Sequence, residues 1–204
     1  MEFRDAREED LPAILETLTD AFSEDPFLTW FVRGGARARD GLRDFFAFMV
    51  AGEPRQAQWF EVSQNCEAVA LWVRWAHVDP LKPVYSDSEK LARAVNFAGF
   101  LRLNNASTAD KIVRSAKSDV MMRTGTKDVA YLRFLACRRK FQGKGFGTGV
   151  LAQGLARCRE LGLPAYLETA TARNEQMYRR REFEVEKRYR FGQGEHIRVM
   201  VYRP

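Results

Sequence analysis

Tyr131-Leu132-Arg133-Phe134-Leu135-Ala136 followed by Cys137-Arg138-Arg139-Lys140-Phe141-Gln142-Gly143-Lys144-Gly145-Phe146-Gly147-Thr148 is the stretch that decides the fold. The first six residues are apolar and strand-like. Past the glycines, Val150, Leu151, Leu155, Cys158 and Leu161 recur mostly at three- and four-residue steps, the period of a helix. A strand, a glycine-rich turn and a helix start make an anion site. Glycine lets the backbone curl so that several N–H groups converge, and the helix N-terminus adds unpaired donors and the positive end of a dipole. Arg138, Arg139, Lys140 and Lys144 add positive charge, so a phosphate-bearing ligand is expected here.

Three phosphate patterns compete. A Walker-type loop needs GxxxxGK[ST], which does not occur. A dinucleotide fingerprint fits only as Gly147-x-Gly149-x-x-Ala152, which begins inside the helical pattern, several residues past the strand. Gln142-Gly143-Lys144-Gly145-Phe146-Gly147 fits in full the Q/R-x-x-G-x-G/A pattern of acyl-CoA-binding N-acetyltransferases. Downstream, the helix expected over 147–161 stops at Gly162 and Pro164, and Ala165-Tyr166-Leu167-Glu168-Thr169 reads as a buried strand. Then come Arg173-Asn174 and Tyr178 on a short helix expected over 174–181, and Phe183 opening another strand. This order resembles the GNAT superfamily, most nearly its puromycin N-acetyltransferase-like members. Ala68-Val69-Ala70-Leu71-Trp72 is similar to that group's third strand, and Ala21–Pro26 to the end of its first helix.

Composition limits the alternatives. With 204 residues, of which 46% are hydrophobic, the chain suits one α/β domain over 1–204. No apolar run approaches the ~20 residues of a membrane span, and the charged start Met1-Glu2-Phe3-Arg4-Asp5 lacks a signal-peptide core, so a cytoplasmic protein without membrane partners is expected. Three scattered cysteines imply no disulfide framework, and two histidines without metal-ligand spacing imply no metal. His77 reads as a surface histidine. Net charge is +6, but the basic residues are dispersed apart from 138–144 and 179–181, so a site for a triply phosphorylated cofactor is preferred to nucleic acid.

Along the chain, a strand is expected over 2–6 and a helix from Leu11 to about Phe22. The stretch 23–40 reads as irregular. A helical stripe follows at Leu42, Phe45, Phe46, Met49 and Val50, then strands at 58–62 and 68–74. A helical insert is expected at about 81–126, opened by the capping pattern Ser86-Asp87-Ser88-Glu89 and containing a helix within 107–122. Strands 129–136, 165–170, 183–190 and 195–202 complete a mixed sheet.

The resemblance implies the GNAT acyl-CoA N-acyltransferase fold, with helices flanking a mixed sheet whose fourth and fifth strands splay around acetyl-CoA. It implies direct transfer of acetyl to a primary amine of a small molecule, in a monomer or homodimer. A catalytically silent CoA-binding or regulatory domain is the alternative. By position, Leu135, Ala136 and Cys137 lie along the pantetheine arm, and Gln142, Gly143, Lys144, Gly145, Phe146, Gly147 and Thr148 at the pyrophosphate, the Thr148 hydroxyl being a further donor. Asn174 contacts the cofactor or caps its helix. Tyr178 is the general acid for the leaving thiolate, and Glu168, or Glu61, the base. Phe27, Trp30, Trp59 and Trp72 are the aromatics that can line an acceptor pocket. Cys137 has no histidine partner and reads as a small strand residue. Where the family has Gly before its sixth strand, this chain has Glu182; a left-handed backbone there costs roughly 1–2 kcal/mol.

Overall fold

In the computed structural model, residues 1–34, 38–51, 54–78 and 98–204 are described. Among them seven strands form one mixed sheet: β1 (Phe3–Asp5), β2 (Gln58–Ser63), β3 (Ala68–Arg74), β4 (Ala130–Cys137), β5 (Ala165–Thr169), β6 (Glu184–Phe191) and β7 (Glu195–Tyr202). Their spatial order is β1-β2-β3-β4-β5-β7-β6. All neighbours are antiparallel except β4 and β5, which are parallel. The helices are α1 (Leu11–Phe22), α2 (Pro26–Phe31), α3 (Ala38–Ala51), α4 (Leu103–Thr124), α5 (Phe146–Glu160) and α6 (Ala172–Arg179).

The helices cover both faces. Ile14, Leu15 and Leu18 of α1 and Leu42, Phe45 and Phe46 of α3 pack with Val62, Val69, Leu71 and Phe134 on one face. Ala116 and Val120 of α4 pack with Tyr131, Tyr166, Val199 and Val201. On the other face, Val150, Leu151, Leu155 and Cys158 of α5 join Tyr178 of α6 over Ala68, Ala70, Trp72, Leu132 and Leu167. A half-buried strand alternates apolar and polar residues, but β3 is buried on both faces through six consecutive residues and has no such alternation.

One irregularity shapes the sheet. The β3–β4 ladder pairs Leu71 with Phe134 but Trp72 with Leu132, leaving Arg133 as an extra residue. Such a bulge bends the strand that carries it. Beyond it β4 diverges from β5: the two pair only at Ala130↔Ala165 and Tyr131↔Tyr166. From Leu132 to Cys137 the β5-facing edge of β4 has no strand partner in this ladder, which is the splay that the resemblance implied.

Three expectations need correction or fall outside the description. The stretch 23–40 is not wholly irregular: α2 forms there, capped by the Asp25 carboxylate, whose Oδ1 accepts from Phe27 N at 3.0 Å and Leu28 N at 2.9 Å. Pro26 follows at the first helical position, where a missing N–H costs little. The helix expected within 107–122 is longer, Leu103–Thr124, and ends at left-handed Gly125. Residues 81–97 of the expected insert, with the capping pattern at 86–89, lie outside the described residues.

Glu61 carries a stability consequence. It is 2% exposed, both carboxyl oxygens lack a hydrogen bond, and the nearest cation is Arg157 Nη1 at 3.9 Å. Burial pushes the carboxyl up to about 8, from an ordinary 4.5, against the pull of Arg157. A raised folded-state value means the folded protein holds this proton more tightly than the unfolded chain. The resulting stability is fully present below 4.5 and is lost as pH rises through 8. Glu61→Gln should therefore melt higher than the parent at pH 9 and near it at pH 4.5. An equal difference at both pH values would refute the linkage.

Candidate active site

The site is built where the two layers meet the splay. The Gln142 side-chain amide donates to the Cys137 carbonyl at 3.1 Å, folding the turn back against the end of β4. Gly143 at φ +75° and Gly145 at φ +89° occupy left-handed backbone that other residues adopt only with strain. Gln142, Gly143, Lys144 and Gly145 are exposed, and a Cβ built on Gly143 meets nothing within 4 Å. Gly145 caps α5 with no side chain satisfying the first-turn donors. The first-turn N–H groups of a fifteen-residue helix thus have no capping side chain and lie beside an exposed turn shaped by glycine, that of Gly147 being directed to the Cys137 sulfur. These residues fit a pyrophosphate.

Two details differ from expectation. The Thr148 hydroxyl donates to the Gly145 carbonyl at 2.9 Å, so its proton closes the helix start rather than pointing outward. The arginines before the turn are tied to α1: Arg138 Nε donates to Thr17 Oγ1 at 2.8 Å, and Arg139 pairs with Glu24 at 2.6 Å and bonds Asp20 and Ser23. The exposed charge at the rim comes from Lys140 and Lys144, whose ammoniums lie 4.9 and 5.6 Å from the Phe141 ring centre.

On the β5 side, α6 begins at Thr171, whose hydroxyl accepts from Asn174 N at 3.2 Å. Thr171 is therefore the cap, and Asn174 is not; its side chain is left for other contacts. Tyr178, 6% exposed, sits edge-on to Phe183 with ring centres 5.7 Å apart. Burial, and then the charge of nearby Asp25, push its phenol well above the ordinary range, so it stays protonated. Burial pushes Asp25 up as well, against its two backbone hydrogen bonds. Glu182, at φ +65°, does take the left-handed backbone just after α6.

Glu168 lies two residues past the last β4–β5 pair, inside the splay. Burial raises its carboxyl to about 7; the Tyr131 hydroxyl and the Arg133 charge pull the other way. Its Oε1 and the Tyr166 hydroxyl are buried without a hydrogen-bond partner. Tyr131 and Tyr166 stack with ring centres 4.5 Å apart. Glu61, by contrast, pairs across from Ala70 on β2 and lies near Arg157 of α5, away from the splay.

The aromatics divide. Phe27 and Trp30 of α2 stack at 6.1 Å and both meet Phe191 of the β6–β7 hairpin, at 5.1 and 5.3 Å. Trp72 does not join them. It is wholly buried beneath α5, against Gly154 where any Cβ would collide with its indole, and it stacks on Trp59 at 5.8 Å. That placement takes Trp72 out of an acceptor pocket; the half-buried Trp59 faces a separate cavity beside Arg157 and the β1–α1 connection. Sequence reasoning missed Asp25, Tyr131, Tyr166 and Phe191; the Asp-Pro step at 25–26 was the one local signal available.

A glycine turn at a helix start, opening on a gap between two parallel strands, is the arrangement that the family comparison explains. The model of the acetyltransferase (GNAT) family matches residues 53–183. The chain belongs to that family. Its members use acetyl-CoA as the acyl donor. Solved structures agree in fold. A protein from Corynebacterium glutamicum described as histone acetyltransferase HPA2 and related acetyltransferase is 21% identical, with 99% of this chain and 95% of that one covered at a TM-score of 0.64. A mosquito arylalkylamine N-acetyltransferase-like protein, 5b, is 16% identical over 100% and 99% of the two chains, at 0.64. A Drosophila melanogaster polyamine N-acetyltransferase is 12% identical over 100% and 99%, at 0.66. No curated protein matches the sequence. Among the described residues of this acetyltransferase, no helix is long and apolar enough to cross a membrane.

Proposed function

We propose that this acetyltransferase moves an acetyl group from acetyl-CoA to a primary amine of a small molecule, by direct transfer in a ternary complex. The observation that carries the reading is the splay itself: an open β4 edge that runs up to the turn at 142–148, with Glu168 two residues past the last β4–β5 pair and Tyr178 in the same apolar cluster as Leu135 and Cys137. Neighbours of the same fold described as arylalkylamine and polyamine N-acetyltransferases support an amine acceptor.

Acetyl-CoA supplies an activated thioester. Backbone groups of Leu135, Ala136 and Cys137 pair with its pantetheine arm as an added strand would, and one amide polarises the thioester carbonyl. The N–H groups of Gly143 to Thr148 hold the pyrophosphate, with Gln142 shaping the turn, Lys144 at the rim and Asn174 opposite. Holding the two reactants together can remove up to ~7–11 kcal/mol of the barrier. Glu168 accepts the proton that the substrate ammonium must lose before the neutral amine can attack. As the new C–N bond forms and the C–S bond breaks, the nitrogen sheds its second proton to solvent and the Tyr178 hydroxyl donates to the departing sulfur, its phenolate then taking a proton back from solvent. Asp25, Phe27, Trp30 and Phe191 lie on the side from which an amine enters; a cation beside aromatic faces and a carboxylate is favourably placed. One domain over 1–204, a cytoplasmic monomer or homodimer, and independence from metal, nucleic acid and membrane complete the proposal.

The test is release of free CoA with product mass, using phenethylamine, agmatine, spermidine and a puromycin-like aminonucleoside. Acetylated amine supports the reading; CoA binding without turnover on any amine would favour a silent CoA-binding domain.

The base has its own pH signature. Free alkylamines resemble lysine, with a pKa near ~10, so most arrive protonated at neutral pH. Glu168, raised to about 7, is ionised increasingly as pH climbs through that value, so the rate should climb too. Glu168→Gln should lower the rate at pH 7, and raising the pH to 9.5 should restore part of it. An equal fractional loss at every pH would assign Glu168 a structural role.

A further inference from the structure

We infer that Arg198 is a positioning residue: one guanidinium ties the free end of β5, the start of β7 and the first turn of α6 into a single unit that aims Asn174 and Tyr178 at the splay. The inference rests on the acetyl-CoA site proposed above.

Beyond Tyr166, β5 has lost β4 and is held by β7 alone, and the last pair of that ladder is Thr169↔Arg198. The chain then leaves the sheet through Ala170 and enters α6 at Thr171. Arg198 closes this exit. Its Nη1 donates to the Ala170 carbonyl at 2.9 Å and to the His196 carbonyl at 3.0 Å, and its Nε donates to Glu175 Oε2 at 2.6 Å. Glu175 is one residue past Asn174 and three before Tyr178.

The helix needs such a tie. At eight residues α6 is below the length at which a helix is stable alone, so tertiary contacts set its pose. Its inner face is set by Tyr178 against Phe183. Its C-terminal exit is strained by the left-handed Glu182. Met177 packs against the same core, and the polar fix is Glu175. The Arg198–Glu175 pair is 18% and 13% exposed, so solvent and salt screen it little. Arg179 and Arg188 also reach Glu175, at 2.9 and 3.2 Å, but are 51% and 48% exposed and reach neither carbonyl. Burial would raise the Glu175 carboxyl, but the hydrogen bonds from Arg179 and Arg198 and the charge of Arg188 outweigh it and keep the carboxyl below its usual range, so it stays charged.

The experiment measures CoA affinity by calorimetry, and kcat and KM on the amine that the panel identifies, for Arg198→Ala, Arg198→Lys, Glu175→Gln and Arg188→Ala. Arg198→Ala should weaken CoA binding about 10-fold or more and lower kcat, leaving the acceptor KM within about twofold. Arg198→Lys should recover part of both. The Arg198→Ala, Glu175→Gln double variant should be no worse than Arg198→Ala. Arg188→Ala should stay near the parent. A folded Arg198→Ala protein with parental CoA affinity and kcat, or additive losses in the double variant, overturns the inference. If Arg198→Ala does not fold, Arg198→Lys and Glu175→Gln decide it, since parental CoA affinity in both overturns it equally. Failure of the parent to acetylate any amine would sink the proposed function while leaving the CoA affinities to judge the clamp.

Discussion

Tyr178→Phe should lower turnover by ~10²–10⁴ while CoA affinity stays nearly unchanged. The substitution removes one oxygen and keeps the ring that packs edge-on against Phe183, so α6 retains its inner contact. The parental phenol begins each cycle protonated because burial and the Asp25 charge disfavour its anion. Deleting it leaves the departing sulfur to water. Calorimetry with CoA and steady-state rates with a saturating amine separate the two effects. Unchanged turnover would remove Tyr178 from the acid role; a parallel collapse of CoA binding would show that the ring had moved.

Gly145→Asp should abolish CoA binding. At φ +89° an aspartate is strained, its side chain occupies the mouth of the α5 N-terminus, and its charge repels phosphate where the N–H groups invite it. A ligand present at a hundredfold excess over its dissociation constant stabilises the folded state by ~2.7 kcal/mol, which a melting curve detects readily. The parent should melt higher in CoA and the variant should not. A variant that still responds to CoA would move the phosphate site elsewhere.

Much of this fold was legible because its decisive signals are local. The strand at 131–136, the glycines at 143, 145 and 147 and the helical period after them lie in one continuous stretch, and the structure keeps that order. At Glu182 the sequence left the backbone open, since a residue other than glycine stands where the family has glycine; the structure keeps the left-handed backbone there. What stayed hidden depends on partners distant in sequence. Arg138 and Arg139 read as positive charge around the phosphate site, but Thr17, Asp20 and Glu24 take them up. Trp72 could not be assigned a face, because β3 is buried on both sides and has no alternation to read. The bulge at Arg133 depends on the register with β3, which a single strand's sequence does not encode, and it lies just past the last β4–β5 pair. Thr171 rather than Asn174 caps α6; two capping residues three apart left the choice to the backbone. The Arg198–Glu175 tie joins residues on different elements, and no local pattern announces it.

The most direct measurement is a crystal structure of the protein grown with CoA. The account predicts the pantetheine arm along the open edge of β4 between Leu132 and Cys137, the pyrophosphate on the N–H groups of Gly143 to Thr148, and the CoA sulfur within hydrogen-bond reach of the Tyr178 hydroxyl. CoA bound away from the β4–β5 gap, or with its sulfur remote from Tyr178, would contradict it.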